Sequence, residues 1–136
     1  MRPVTDDEQI RYVRVLNAAL TAIPPGAAVY LDGMVEDPDD DTAKVYSGGQ
    51  PPADNETDVV FNGPGEIAVG DVGVCYAEGL ITAALDTADT APAVGDEIGT
   101  AEDDWKLRTG QTGFRVLSVT ADERFAAVVN IGSLTD

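Results

Sequence analysis

The chain has 136 residues, of which 43% are hydrophobic, and its 25 acidic and 8 basic residues give a formal net charge of −17. This length suits one domain with a substantial core, and the lack of an apolar run of about 18 residues excludes a transmembrane helix. The charge excludes binding to nucleic acid or to an anionic membrane surface, because both partners require positive charge on the protein.

Two situations explain so acidic a composition. In a very salty cell, the Debye length falls to about 3 Å at 1 M salt, which removes the self-repulsion of the chain. On a large particle, charge keeps an outward-facing protein soluble. The two are compatible, and we treat adaptation to high salt as a hypothesis.

Residues 1–9 are polar and acidic and are predicted to form a flexible arm, followed by a single β domain over 10–136. The arm shows no basic segment followed by an apolar one, so we expect no signal peptide and synthesis in a cytoplasm. The capping-box spacing of Thr5 and Glu8 would start a helix over 6–22. The β-branched and aromatic residues that follow favour a strand at 10–16 instead.

A short phrase recurs along the chain: an apolar residue, a turn with glycine, then a new apolar run. It occupies residues 23–29, 67–74 and 93–98, and the tetrapeptide Ala-Val-Gly-Asp appears twice. Glycine accepts the positive φ of a tight turn, and proline presets the conformation of a turn residue. Each phrase therefore predicts a turn that begins a strand.

Further strands are predicted at 27–31, briefly at 43–46, at 57–61, and as a hairpin at 114–119 and 124–131. The run over 72–85 is predicted to be either one bent strand or a hairpin broken at Glu78-Gly79. A long acidic loop is predicted over 34–58, where Asp, Pro and Gly are frequent. Short strands separated by turn signals indicate an all-β fold. We expect a small β-barrel or β-sandwich of short antiparallel strands with little helix.

The residues that usually carry chemistry are scarce. The chain has one cysteine, Cys75, and no histidine, so zinc binding and a histidine-activated nucleophile are not expected. Cys75 lies in an apolar run and is predicted to be a buried side chain. Among so many carboxylates, a pair with glycosidase-like spacing carries no information. We therefore expect no enzyme activity and no cofactor.

One acidic run has the alternating spacing of a calcium-binding loop, with Asp37, Asp39 and Asp41 as candidate ligands. However, Thr42 stands where such a loop needs glycine, and Gly48 stands where it needs a bidentate glutamate. A solvated acidic loop is the favoured interpretation, and the calcium site is a weak candidate.

Several phrases resemble those of small structural proteins of tailed viruses, in particular capsid decoration, or cement, proteins. The phrases occupy residues 13–17, 23–33, 92–99, 105–107 and 113–117. The resemblance implies a β-rich virion protein that binds the major capsid protein or a neighbouring virion protein, and stabilises or decorates the particle. It leaves open a decoration, turret, fibre-base or tail component, and the acidic charge favours an outward-facing position. The resemblance also implies a homo-oligomer on the particle.

Docking is expected through pairing of an edge strand or through ordering of the arm on binding. Trp105 could anchor a partner, since Trp and Arg are common anchors, or it could plug the open end of a barrel. The predicted contact residues are Arg2, Val4, Ile10, Trp105, Lys106 and Arg108.

Two other functions stay open. One is a non-viral β-sandwich module that binds a carbohydrate or a protein, and the other, with less support, is a carboxylate-based hydrolase.

Overall fold

The computed structural model describes residues 11–78, 81–86 and 91–131. These residues form ten strands and no helix, which confirms the all-β prediction. The strands are β1 (Arg11–Asn17), β2 (Ala28–Asp37), β3 (Asp40–Gly49), β4 (Val59–Asn62), β5 (Val72–Glu78), β6 (Ile81–Ala84), β7 (Glu97–Gly99), β8 (Arg108–Thr109), β9 (Phe114–Val119) and β10 (Phe125–Asn130). Within the described ranges, no helix is long and apolar enough to cross a membrane.

The first five strands close on themselves as a small barrel in the order β1-β3-β2-β4-β5. Strand β5 returns to β1 in antiparallel register, with Val13 opposite Cys75. The pair β1 and β3 is parallel, with Val15 opposite Tyr46. The expectation of antiparallel strands is therefore wrong for this one pair, which closes the ring.

The last five strands form an open second sheet in the order β6-β10-β9-β7-β8. Its centre is the antiparallel hairpin of β9 and β10, in which Val129 faces Arg115. The sequence predicted this hairpin with nearly the same limits. The molecule as a whole thus has two sheets, a small barrel and an open sheet that pack together, and the predicted class of small all-β fold is confirmed.

The prediction of an acidic loop over 34–58 is wrong for residues 34–49, apart from the brief strand predicted at 43–46, which lies within β3. Apart from the turn at Pro38 and Asp39, residues 34–49 belong to β2 and β3, each ten residues long, which form a hairpin with Asp37 opposite Asp40. Much of the outer half of this hairpin is exposed, so its strands carry charged residues that have low β propensity. Only residues 50–58 connect strands as a loop.

The run over 72–85 also differs from its prediction. It contains two strands, β5 and β6, that belong to different sheets and do not pair with each other. The chain therefore leaves the barrel and enters the second sheet between Glu78 and Ile81.

The three recurring phrases form three turns of one type, as predicted. In each, the glycine has positive φ, at +72° for Gly26, +83° for Gly70 and +94° for Gly95. The N–H of the residue after each glycine donates to the carbonyl of the residue three positions earlier. These carbonyls belong to Pro24, Ala68 and Ala93, at 3.2, 3.0 and 3.0 Å. An L-residue adopts this φ at a cost, which explains why glycine occupies the same place each time.

Two hydrophobic clusters form the core, and β4 lies between them. Val60 faces the barrel interior, whereas Val59 and Phe61 face the second sheet, as expected when side chains alternate along a strand. Phe61 meets Phe114 of the second sheet edge-to-face, with ring centroids 5.2 Å apart. The barrel and the second sheet therefore share an apolar contact.

Candidate functional site

An apolar groove runs along the junction between the barrel and the second sheet. Its volume is about 670 Å³, and it is lined by residues 25–26, 61–64, Tyr76, 81–82 and Phe125. We call this site the junction groove. It takes its walls from both sheets, so the packing of the two sheets determines its shape.

None of the residues that line the junction groove is charged, although 24% of the whole chain is. Two prolines and three aromatic side chains, Phe61, Tyr76 and Phe125, contribute to the lining. Beside it, the guanidinium of Arg124 lies over the Phe125 ring, 5.7 Å from the centroid. Concave apolar surfaces with few polar groups are the usual form of binding sites.

The turn at Gly26 joins the two walls of the groove. Its N–H donates to the carbonyl of Asn62 at 3.1 Å, and its own carbonyl accepts from the N–H of Ala84 at 2.8 Å. A Cβ atom at Gly26 would lie 2.9 Å from the Ala84 nitrogen and 3.1 Å from the Phe125 ring. Glycine is therefore required here by contact as well as by φ.

Asn62 holds the loop at the other side of the groove. Its side chain is buried, and Nδ2 donates to the carbonyls of Ile23, Pro24 and Gly65 at 3.2, 3.0 and 2.7 Å. An amide nitrogen has two hydrogens, so these contacts use its full donor capacity. The amide nitrogen thus fixes the shape of the groove and is not available to a ligand.

The candidate calcium ligands do not form a metal site. Among the described residues, no group of three or more carboxylate, cysteine or histidine side chains could hold a metal ion. Asp37 is 3% exposed and accepts hydrogen bonds from the side chain of Arg14 and from the N–H of Asp39. These bonds, the backbone one first, lower the pKa of the Asp37 carboxyl.

Trp105 is a core residue of the barrel. Its side chain is 9% exposed, packs in the barrel cluster with Val15 and Ile23, and its carbonyl accepts from the N–H of Ala28 at 2.7 Å. Of the two roles that the sequence allows for Trp105, this burial favours the plug over the partner anchor.

The two predicted contact residues beside Trp105 lie near acidic groups. The exposed Lys106 donates its backbone N–H to Asp104 at 3.0 Å, and Arg108 forms ion pairs with Asp104 at 2.9 Å and Asp86 at 3.3 Å. The hydrogen bond that Arg108 donates to Asp104 is the main cause that raises the pKa of this guanidinium. Neither residue lines the junction groove.

The other predicted contact residues, Arg2, Val4 and Ile10, lie outside the described residues. Cys75 is buried in the barrel as expected, and this burial raises the pKa of its thiol to about 12. A thiol in that state is a poor nucleophile at neutral pH.

The junction groove has no counterpart among the features predicted from the sequence. Pro25-Gly26 and Asn62-Gly63-Pro64-Gly65 carry the signals of turns only, and the aromatic residues of the groove are far apart in the chain. The one signal that points to the groove is the absence of charge in two turns of so acidic a protein.

No protein-family model, no curated protein and no solved structure matches this chain.

Proposed function

We propose that this protein is a structural component of a tailed-virus particle. In this proposal it binds the major capsid protein or a neighbouring virion protein through the junction groove, and stabilises or decorates the particle from its outer side. The observation that carries the proposal is the contrast between an uncharged, aromatic-lined groove and a chain of net charge −17. A concave apolar surface on such a chain is costly to leave in water and favourable to cover.

The resemblance supports the viral context, and one of its phrases contributes to the groove. Residues 23–33 are among the segments that resemble capsid decoration proteins, and Pro25 and Gly26 of that segment line the groove. The other phrases contribute turns and core strands, which fits a protein selected for a stable scaffold.

The charge supports an outward position on the particle. A strongly acidic protein is repelled by packaged nucleic acid, and its field favours partners with basic surfaces. An acidic outer surface also opposes aggregation of the particles that carry it.

Hydrogen bonds within the chain hold the residues that form the groove. Asn62 and Gly26 fix its two sides through backbone and side-chain hydrogen bonds. A preformed site loses less conformational entropy on binding than a flexible one does. This favours a stable attachment role.

The alternative function is a non-viral module that binds a carbohydrate or a protein. Tyr76 and Phe125 in the groove support it, because aromatic rings stack on sugars as well as on apolar side chains. A glycan array separates this alternative from the proposal: saturable binding of a soluble glycan that the Y76A variant loses would favour the carbohydrate module.

The test of the proposed function is quantitative mass spectrometry of purified tailed-virus particles from the organism that encodes this chain. We expect this chain at a fixed ratio to the major capsid protein, retained after density-gradient purification. We also expect its gene to lie beside capsid, portal or terminase genes. A chain that is expressed in the same cells but missing from the particles would contradict the proposal.

A further inference from the structure

The free edge of β6 opens into the junction groove. Strand β6 pairs with β10 along one side, and Ile81 and Thr82 contribute to the groove lining. Thr82 is exposed, whereas its neighbour Ile81 is buried. Thr82 is therefore the exposed residue of β6 that lines the groove.

The hydrogen bonds of the next residues show in which direction the backbone of Thr82 points. Leu85 donates its N–H toward β10, to the carbonyl of Arg124 at 2.9 Å. Ala84 points the other way, since it donates to the carbonyl of Gly26 at 2.8 Å and accepts from the N–H of Leu107 at 2.9 Å.

Backbone groups alternate in direction along a strand, so Thr82 shares the direction of Ala84 and points into the groove. Among the residues that the structure describes, neither its N–H nor its C=O has a hydrogen-bond partner on that side. An unpaired donor and acceptor at a strand edge are a template for another strand.

The chain itself already uses part of this edge. Residues 25–26 occupy the place of a neighbouring strand beside Ala84, through the 2.8 Å bond from Ala84 to Gly26. At the next place along the same edge, beside Thr82, no described residue pairs with the backbone, and Thr82 lines the groove together with Tyr76 and Phe125.

We infer that the junction groove binds an extended peptide segment of a partner protein, which adds to β6 as a strand at Thr82. One residue of the segment pairs its C=O and N–H with the N–H and C=O of Thr82. The alternate side chains of the segment are apolar and contact the rings of Tyr76 and Phe125, as in other cases of strand addition. The inference rests on the proposed function for one point only, namely that the partner is a virion protein.

Charge determines what flanks this segment. The groove offers no charged side chain to an inserted residue, and a buried unpaired charge is costly. Beyond the groove, the net charge of −17 attracts basic residues and repels acidic ones. The partner segment therefore has an uncharged centre with Lys or Arg on each side.

The experiment uses the full chain and a short synthetic peptide with blocked ends, in which alternating Val and Thr are flanked by Lys. A second peptide replaces each Lys by Glu. Fluorescence anisotropy measures the affinity of wild-type protein, Thr82→Pro and Thr82→Val. Thr82→Pro removes the outward N–H and leaves the bonds to β10 in place, because proline is tolerated where the N–H is not part of the ladder. Thr82→Val is the matched control, since it keeps the backbone N–H and the side-chain shape.

We expect the Lys-flanked peptide to bind wild-type protein saturably, and Thr82→Val to bind the peptide with the same affinity. We expect Thr82→Pro to weaken binding about tenfold, which is the range of one lost hydrogen bond plus a steric clash. The Glu-flanked peptide should bind more weakly, with a difference that shrinks as salt increases. The amide of Thr82 should gain protection from hydrogen exchange on binding, and melting curves verify that each variant folds.

Equal binding by Thr82→Pro and Thr82→Val, or no binding of the Lys-flanked peptide to wild-type protein, would overturn strand addition. Because this assay contains no viral component, its failure is separate from that of the proposed function. If Thr82→Pro occupies particles as fully as wild type does, attachment stands and the strand-addition site is wrong.

Discussion

The side chains of Asn17 and Asn62 perform the same task in the two halves of the barrel. Nδ2 of Asn17 donates to the carbonyl of Ile67 at 2.9 Å, and Nδ2 of Asn62 donates to the carbonyl of Ile23 at 3.2 Å. The two isoleucines bond to each other in both directions, at 2.9 and 3.0 Å. Each asparagine thus ties the end of one strand to the turn that follows the other.

Backbone hydrogen bonds link the same two asparagines to the turn glycines in the same reciprocal way. Gly26 donates to the carbonyl of Asn62 at 3.1 Å, and Gly70 donates to that of Asn17 at 3.0 Å. The segment from β1 through its turn to β2 and the segment from β4 through its turn to β5 therefore share one hydrogen-bonding pattern, and each makes these bonds to the other. At the third turn, Gly95 donates in the same way to Val116 at 2.9 Å, without an asparagine side chain.

Replacing either asparagine by alanine should destabilise the barrel by about 1–3 kcal/mol, because a buried side chain that bridges two or three backbone carbonyls is lost. Asn62→Ala should cost at least as much as Asn17→Ala, since Asn62 donates to three carbonyls and Asn17 to two. Urea unfolding measures both, with the exposed Gln50→Ala as the control. Asparagine variants that unfold at the same midpoint as this control would contradict the shared role.

The three turn glycines should differ in their response to alanine. At Gly70 and Gly95 no atom lies within 4 Å of the position that a Cβ would take, so the cost is that of positive φ alone, about 1–2 kcal/mol. Gly26→Ala adds a clash with Ala84 and Phe125 and should cost more than either. Gly65→Ala, with open space and ordinary φ, is the matched control and should be close to neutral. Thermal or urea unfolding ranks the four variants, and equal loss at Gly26 and Gly70 would mean that the groove side of Gly26 is not closely packed.

The buried Asp37 should contribute to the pH dependence of stability. The N–H of Asp39 and the side chain of Arg14 lower the pKa of Asp37 in the folded protein. The stability that Asp37 contributes is therefore present above its unfolded pKa of about 3.9, and is lost as pH falls through the lower folded pKa. Asp37→Asn should lower the urea midpoint at pH 7 and flatten its decline in acid. Asp39→Asn, an exposed neighbour on the same hairpin, removes one charge without these bonds. Identical pH profiles for the two variants would exclude a specific role for Asp37.

Salt should stabilise the protein if its acidity reflects adaptation to a salty cell. Screening reduces repulsion among the 25 carboxylates, with a Debye length of about 3 Å at 1 M. We expect the melting temperature to rise from low to multimolar NaCl, and to rise less in a variant with exposed acids such as Glu36, Asp39 and Asp41 changed to Asn or Gln. A melting temperature that does not increase with salt would count against this hypothesis.

The features predicted well from sequence are those fixed by local chemistry. The three glycine turns are predictable because positive φ has a residue signature, and the β9–β10 hairpin because its apolar residues alternate over two adjacent segments. The β2–β3 hairpin escapes prediction because its outer half is exposed on both strands. There Glu36 on β2 and Asp41 on β3 are exposed and carry no burial pattern, and pairing alone makes the strands.

The junction groove depends on contacts between distant parts of the chain, so no local pattern reveals it. Phe61 and Phe125 come together only because β4 faces the second sheet, and that orientation follows from the closure of the barrel. The burial of Trp105 likewise depends on contacts between distant residues of the barrel. Its residue type alone fits both a partner anchor and a core plug.

The most direct test of attachment through the junction groove is a cryo-EM map of the tailed-virus particle that carries this chain. We predict symmetrically placed copies on the outer surface, each with an extended segment of a neighbouring virion protein beside Thr82 and between Tyr76 and Phe125. Copies whose junction groove faces solvent, with the neighbour held by another surface, would contradict the claim that this groove is the attachment site.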